Sequence, residues 1–246
     1  MTRVTSLLRH PLKSHGREAL ESVELMPGNS MPFDRLWAVA HDASKADGTE
    51  WAQCANFSRV SKAPALMAIT SKLDEETGRL TLSHPAKPDI TFDPDTEAQM
   101  FIQWVSPLVP QNRAMPERIV KLEGRGFTDS DFASITLCNL ASHRAVESQM
   151  GRDLSIHRWR GNIWFDCETP WIEFDWMGKD VRIGDCVVHM RERTDRCLAT
   201  TANPDTGQRD ADTLSALESF GHQDFSVRAE VKTGGMIKIG DFVEVL

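Results

Sequence analysis

The sequence predicts a mainly β, barrel-like α+β fold, and three observations carry that prediction. Short apolar or alternating runs dominate roughly the first ninety residues. Turn-forming residues cut those runs apart. Only three segments show the capped, apolar-faced pattern of a helix. With 246 residues, 40% of them hydrophobic, the chain can bury one good-sized core or two smaller ones.

Taken in order, the runs Arg3 to Leu8, Leu36 to His41, Ala65 to Ser71 and Arg79 to Ser83 read as strands. Pro27-Gly28-Asn29, Asp47-Gly48 and Thr77-Gly78 supply turns between them. At Asp93-Pro94-Asp95 the pattern changes. Asp93 can cap a helix, Pro94 suits a first helical position, Met100, Phe101 and Trp104 mark an apolar face, and Pro107 ends it. From Val109 to Gly126 the chain is rich in Pro, Gly and charge and reads as a linker or a long crossing loop. The division expected from it is a domain over 1–110 and a second over 111–246.

Beyond the linker, a helix is expected from about Leu140 to Met150, stopped by Gly151, and another from about Thr213 to Phe220, stopped by Gly221. Strands fill the remainder at Asn162 to Phe165, Val181 to Ile183, Val187 to Met190, Phe225 to Lys232 and Phe242 to Leu246. Short strands with so few helices favour a barrel-like arrangement. Trp159, Trp164, Trp171 and Trp176 read as core and cavity-wall residues and not as a stacking platform, because aromatic side chains bury large areas.

Composition excludes several functions. The net charge of −8, from 28 Lys and Arg against 36 Asp and Glu, argues against non-specific nucleic-acid binding, so any anion site has to be a local cluster. No run approaches the roughly 18 apolar residues of a membrane helix, and the first residues lack the apolar core of a signal peptide, so no membrane and a cytoplasmic location are expected. Five widely spread cysteines, Cys54, Cys138, Cys167, Cys186 and Cys197, are read as thiols of a reducing compartment. Without a CxxC pair or a ferredoxin-type run, neither a zinc ribbon nor an iron–sulfur cluster is indicated, and electrons have to come from elsewhere. The common hydrolase and nucleotide motifs HExxH, GxSxG, GxxxxGK[ST] and GxGxxG are also missing.

Four clusters remain. Cys197 directly follows Arg196, and a neighbouring cation favours the thiolate that attacks electrophiles or binds metals; a small buried residue is the plainer reading of any free cysteine. Arg158 and Arg160 alternate just ahead of a strand, where their planar forks suit a phosphate, though salt bridges to the many carboxylates would explain them equally. His10-Pro-Leu-Lys13-Ser14 and Asp34-Arg35-Leu-Trp37 each pair a cation with a short polar group.

In this order the four clusters resemble the MOSC family, the molybdenum-cofactor sulfurase C-terminal type domains, preceded by the MOSC N-terminal β-barrel domain. That family carries Y-P-[VI]-K-S, then D-R-x-[WF], R-F-R-P-N and R-C-x-x-T-T-x-D-P-x-T-G. Here the last two read Arg158-Trp-Arg160-Gly161-Asn162 and Arg196-Cys197-Leu-Ala-Thr-Thr201-Ala-Asn203-Pro-Asp-Thr-Gly207. The resemblance spans nearly the whole chain and implies a MOSC-type β-barrel packed with an N-terminal β-barrel-like domain.

It also implies a molybdopterin-type molybdenum cofactor, with Cys197 as the metal's thiolate ligand and the central residue of the chemistry. Lys13, Arg35, Arg158, Arg160 and Arg196 would be cofactor-binding cations. Ser14, Ser134, Asn162 and Thr201 would be hydrogen-bond partners of the phosphate or pterin. Similarity to mitochondrial amidoxime-reducing proteins and their bacterial relatives implies reduction of small N-hydroxylated compounds. Some relatives carry a ferredoxin domain behind the MOSC domain; this chain stops at Leu246, so an external electron-transfer protein of ferredoxin or flavin type is expected. A carrier of the cofactor or of sulfur, acting through a persulfide on Cys197, is the other implied role. Three positions depart from the family pattern: His10 replaces Tyr, Gly161 replaces Pro and Asn203 replaces Asp. Gly161 is expected to loosen the approach to the site, and His10 and Asn203 to change contacts at the cofactor.

Overall fold

The computed structural model describes residues 2–246. In chain order the strands are β1 (Arg3–Arg9), β2 (Glu18–Leu20), β3 (Ser22–Leu25), β4 (Trp37–His41), β5 (Thr70–Leu73), β6 (Leu80–His84), β7 (Lys87–Phe92), β8 (Pro116–Lys121), β9 (Ile135–Asn139), β10 (Ile163–Asp166), β11 (Asp180–Ile183), β12 (Cys186–Asp195), β13 (Asp224–Thr233), β14 (Gly235–Lys238) and β15 (Val243–Val245). The α-helices are α1 (Ala98–Val105), α2 (Leu140–Met150) and α3 (Thr213–Glu218). The mainly β expectation holds.

Eight strands form the main sheet in the order β15-β11-β12-β13-β9-β10-β1-β2. Its pairings are antiparallel except between β9 and β10, which run parallel and therefore need a long crossover. That crossover holds α2 and a 3-10 turn, Ile156–Trp159. One face of the sheet buries Leu7, Leu137, Ile163, Phe165 and Val227 in a common core. On the opposite face Trp159, Trp164 and Phe225 pack under α2 and α3, with Trp159 stacked on Phe225 at a centroid distance of 3.9 Å. The tryptophans are thus core residues, as expected from their size. A separate core of Leu12, Trp37, Val39, Leu66, Phe92 and Phe101 lies among β4, the β5-β6-β7 meander and α1.

Strand pairing crosses position 110/111. β1 pairs with β10, and β3 pairs with β14, so the first strands are built into C-terminal partners. Leu7 and Leu8 are both buried on successive, opposite faces of β1, which therefore needs cover on both sides and finds it in that sheet. Conversely, β8 lies inside the expected linker yet pairs with β4, Val120 opposite Ala38 and Ile119 opposite Val39.

Two further expectations shift. The expected strand over Ala65 to Ser71 begins instead as a 3-10 turn, Pro64–Ala68, because Pro64 sits at its start without an N–H for a ladder; β5 follows. Asp93 caps a turn, accepting from the Asp95 N–H and the Thr96 hydroxyl, and α1 itself begins at Ala98.

α2 has the ends expected of it. Asn139 accepts the Ala141 N–H at 2.9 Å, and Gly151 closes the helix in the left-handed conformation at φ 64°. The Asn139 amide also donates to the buried Glu173 carboxylate at 2.8 Å, and the Ser142 hydroxyl donates to it at 2.7 Å. Among the described residues no helix is long and apolar enough to cross a membrane.

Asn139→Ala removes a helix cap and a donor to a buried carboxyl together. It is expected to cost about 2–4 kcal/mol in urea unfolding, and a loss no larger than that of a surface substitution would refute the double role.

Candidate functional site

The site is assembled from turns that leave the sheet. After β1 the chain enters a turn in which the Lys13 N–H donates to the Trp37 carbonyl at 2.8 Å and the His15 N–H to the Leu12 carbonyl at 2.9 Å. This leaves Ser14 at φ 66°. Ahead of β4, Arg35 sits at φ 52°. At the end of the crossover, Arg160 closes the 3-10 turn in the left-handed region at φ 51°. Non-glycine residues seldom adopt this conformation, and only a surrounding structure that over-determines it keeps them there. Among the described residues, three of the six in this conformation belong to the sequence-derived site.

Asp34 ties these turns together. Its side chain is fully buried; it accepts the His10 N–H at 2.8 Å and pairs closely with Arg35. Burial by itself would push its carboxyl up. The Arg35 guanidinium and the hydrogen bonding from His10 outweigh that and hold it far below the usual carboxylate range. Arg35 also donates to the Arg160 carbonyl at 2.7 Å. Gly126 is needed where this turn meets the loop after β8: a Cβ there would stand 2.5 Å from the Asp34 carbonyl oxygen.

These turns surround a cavity of about 290 Å³. Lys13, Ser14, Arg35, Ser134, Arg158, Arg160, Arg196 and Cys197 all line it. The structure therefore brings eight of the ten sequence-derived residues together, and it separates them by role. Arg160 has an Nη1 that is buried without a partner; its one side-chain hydrogen bond runs from Nη2 to the Gly16 carbonyl at 3.3 Å. Burial, with Arg35 and Arg17 nearby, pulls its pKa down to about 9. Lys13 donates to the Phe127 carbonyl at 2.6 Å and to Asp129. Burial in the cleft would raise the Asp129 carboxyl, yet Lys13 beside it holds it at about 2, while its side chain stays 56% exposed.

Other site candidates are held by the protein itself. Arg196 gives Nε and Nη2 to the Phe225 carbonyl, Nη1 to the Trp159 carbonyl at 2.8 Å and Nη2 to the Ser226 hydroxyl. Arg158 pairs with Asp210 at 2.6 Å and leaves only Nε without a partner. The Ser134 hydroxyl accepts from Ser130 at 2.6 Å.

Asn162 and Thr201 do not line the cavity. The Asn162 amide bridges the Thr136 N–H, Arg35 and the Leu8 carbonyl, and the Thr201 hydroxyl donates to the Leu198 carbonyl while accepting from Arg209. They position the walls and are not free to bind a ligand.

Cys197 is the one exposed cysteine. It opens the 3-10 turn Leu198–Thr201, and its carbonyl accepts both the N–H and the hydroxyl of Thr200 at 3.2 Å, which fixes its backbone at the cavity wall. Among the buried thiols, burial pushes Cys138 up to about 12 and Cys186 up to about 11. The departures from the family pattern lie behind the cleft. His10 is fully buried, and burial with Arg160 and Arg35 nearby keeps it neutral. Asn203 donates to Asp210, the partner of Arg158. Gly161 does not loosen the approach, because Cys138 Sγ occupies the place a Cβ would take.

Asp129, Arg228, Cys54 and Arg59 also line the cavity and were not singled out from the sequence. Arg228, a charge amid the alternating residues of β13, left a readable signal. Asp129 left none, since its partner Lys13 is 116 positions away.

Residues 125–244 match the MOSC domain, and residues 1–108 match the MOSC N-terminal beta barrel domain. An 85-residue stretch, 35% of this chain, is 32% identical to the molybdenum cofactor sulfurase of Drosophila mojavensis, of whose length it covers 11%. The crystal structure of the YUAD protein from Bacillus subtilis aligns with 100% of this chain and 96% of its own at 13% identity and a TM-score of 0.50, a likeness of fold.

Two outcomes follow for stability. Asp34 has a depressed folded pKa, so its contribution is present above its ordinary value near 3.8 and is lost as pH falls through the folded value. Asp34→Asn is therefore expected to destabilise at neutral pH and to flatten the loss of stability below about pH 4; an unchanged acid limb in pH-dependent unfolding would contradict this. Gly161→Ala should cost about 1–3 kcal/mol by overpacking. Adding Cys138→Ala should relieve it, since the next atom, Cys138 Cβ, stands 3.6 Å away. A double-mutant cycle that sums to simple additivity would rule out the clash.

Proposed function

Because the chain belongs to the MOSC family, with that family's N-terminal β-barrel domain joined to the MOSC domain, we propose that it binds a molybdenum cofactor in this cleft and reduces N-hydroxylated compounds. The observation that carries the reading is the exposed Cys197 thiol sharing one cavity with Arg160, a buried cation whose Nη1 has no partner. Buried charge without a counter-ion is costly, and a phosphate dianion supplies the one that Arg160 lacks, beside Arg35 and Lys13, which already pair with Asp34 and Asp129. A single thiolate suits a metal that brings its other ligands with it.

In this reading Lys13, Arg35 and Arg160 hold the pterin phosphate, Ser14 and Ser134 offer hydroxyls beside it, and Cys197 binds the metal. Arg158, Arg196, Asn162 and Thr201 fix the walls. When bound, the cofactor supplies two-electron chemistry that removes the oxygen of an N–OH group as water, with electrons delivered by a separate ferredoxin- or flavin-type protein. Asp129, held at about 2, stays ionised at neutral pH, so it orients Lys13 and delivers no proton. The Trp159 and Phe225 carbonyls anchor Arg196, the residue before Cys197, and Thr200 anchors Cys197 itself, so the thiol is presented from a rigid support. A cytoplasmic location accords with five free cysteines.

A second reading, a cofactor or sulfur carrier with a persulfide on Cys197, is favoured by the exposure of that thiol and by the similarity to a molybdenum cofactor sulfurase.

Protein produced in cofactor-making cells should contain molybdenum and pterin, and should reduce benzamidoxime with an artificial electron donor. Cys197→Ala should abolish the reduction. Arg160→Gln should weaken pterin retention about 10–100-fold, the loss of a charge-assisted hydrogen bond. Wild-type protein free of both molybdenum and pterin would sink the reductase reading, and a persulfide on Cys197 in that metal-free protein would establish the carrier.

A further inference from the structure

A second cavity, of about 250 Å³, lies beside the cleft. The segment Ala55 to Ala63 forms one wall and the loop Val109 to Ala114 the other. Arg59, Lys62 and Arg113 point three cations at it, and no carboxylate lines it. A cavity lined by three cations and no carboxylate is a local reversal of the chain's net charge of −8. Among the described residues, no carboxylate stands within 4.0 Å of any of the three, whereas Arg9, Arg158, Arg191 and Arg228 each have such a partner. Phe57, Ala63 and Val109 give the cavity a buried apolar wall, beside the polar Ser58, Asn112 and His41.

His41 adds a second, independent signal. Its Nε2 donates to the Ala55 carbonyl at 2.8 Å, which fixes the tautomer and leaves Nδ1 as an acceptor. That Nδ1 is buried and has no partner. A ligand that satisfies the cavity therefore carries an oxyanion for the cations, an apolar body for the wall and a donor for His41 Nδ1.

We propose that this cavity binds a small hydroxylated organic carboxylate through Arg59, Lys62 and Arg113. The assignment stands independently of molybdenum binding. Arg59 also lines the main cleft, and its side chain's hydrogen bond runs from Nη1 to Cys54 Sγ at 3.3 Å. A carboxylate that draws the guanidinium toward itself takes that N–H from the sulfur, so occupancy of the second cavity is transmitted to a thiol of the first.

The test is calorimetric titration of the full chain with 4-hydroxybenzoate at low ionic strength, in three proteins. Wild type and Lys13→Gln should each bind one ligand per chain with similar affinity. Lys62→Gln/Arg113→Gln, changed at two exposed positions, should bind about tenfold more weakly or worse, each removed cation contributing a charge-assisted bond. In a Cys197→Ser background, saturating ligand should slow alkylation of Cys54 by iodoacetamide, and should not do so once Lys62 and Arg113 are replaced. Absence of saturable binding to wild type overturns the proposal. So does binding that is lost in Lys13→Gln and kept in the double variant, which would move the anion to the cleft. An unchanged Cys54 rate in the ligand-saturated protein overturns the transmission.

Discussion

Asp34 is the anion around which the molecule is arranged. A carboxylate buried this deeply persists only if donors surround it, and here the donors come from the turn after β1 and from its own neighbour Arg35. Arg35, pinned in this way, reaches across to the carbonyl of Arg160, 125 positions further on. One ionised group thereby aligns the turn before β2, the turn before β4 and the end of the crossover before β10. The left-handed backbone of Arg35 and Arg160 is the conformational cost of that alignment.

The same arrangement concentrates positive charge in an acidic chain. Arg17 donates to the carbonyls of Met67, Ile69 and Pro204, Arg160 to that of Gly16, and Arg196 to those of Phe225 and Trp159. Carbonyl dipoles satisfy the N–H groups without cancelling the net charge. The cleft therefore keeps a positive potential that the surrounding low-dielectric walls focus, while the outer surface stays negative.

How much of this was legible in the sequence depended on how local the signal was. α2 could be read because Gly151 is a stop signal carried by the helix's own end. β8 could not, because Pro110, Pro116 and Gly124 around it look like loop, and its partner β4 is remote in sequence. The site residues were legible as types: cations beside short polar groups, and a cysteine after an arginine. Their division of labour was not. Nothing in the sequence shows that the Phe225 and Trp159 carbonyls take up Arg196, that Asp210 takes Arg158, or that the amide of Asn162 is spent on three protein partners. Gly161 shows the same limit: as a sequence departure it suggests slack, whereas the fold fills that space with the sulfur of Cys138.

The pairing of β1 with β10 governs how the chain can be made. β1 is complete when Arg9 leaves the ribosome, but its partner begins at Ile163, and β3 waits for β14 at Gly235. β2 can pair with one edge of β1 almost at once, but at a synthesis rate of about 5–20 residues per second the other edge waits roughly 8–30 s for β10. During that interval an apolar strand with one open edge is exposed to whatever else can pair with it, so a newborn chain of this kind has reason to need a chaperone there. The cleft, walled by residues from Lys13 to Arg228, closes only once Arg228 has been made, and no ligand that needs all of its walls can assist the earlier steps of folding.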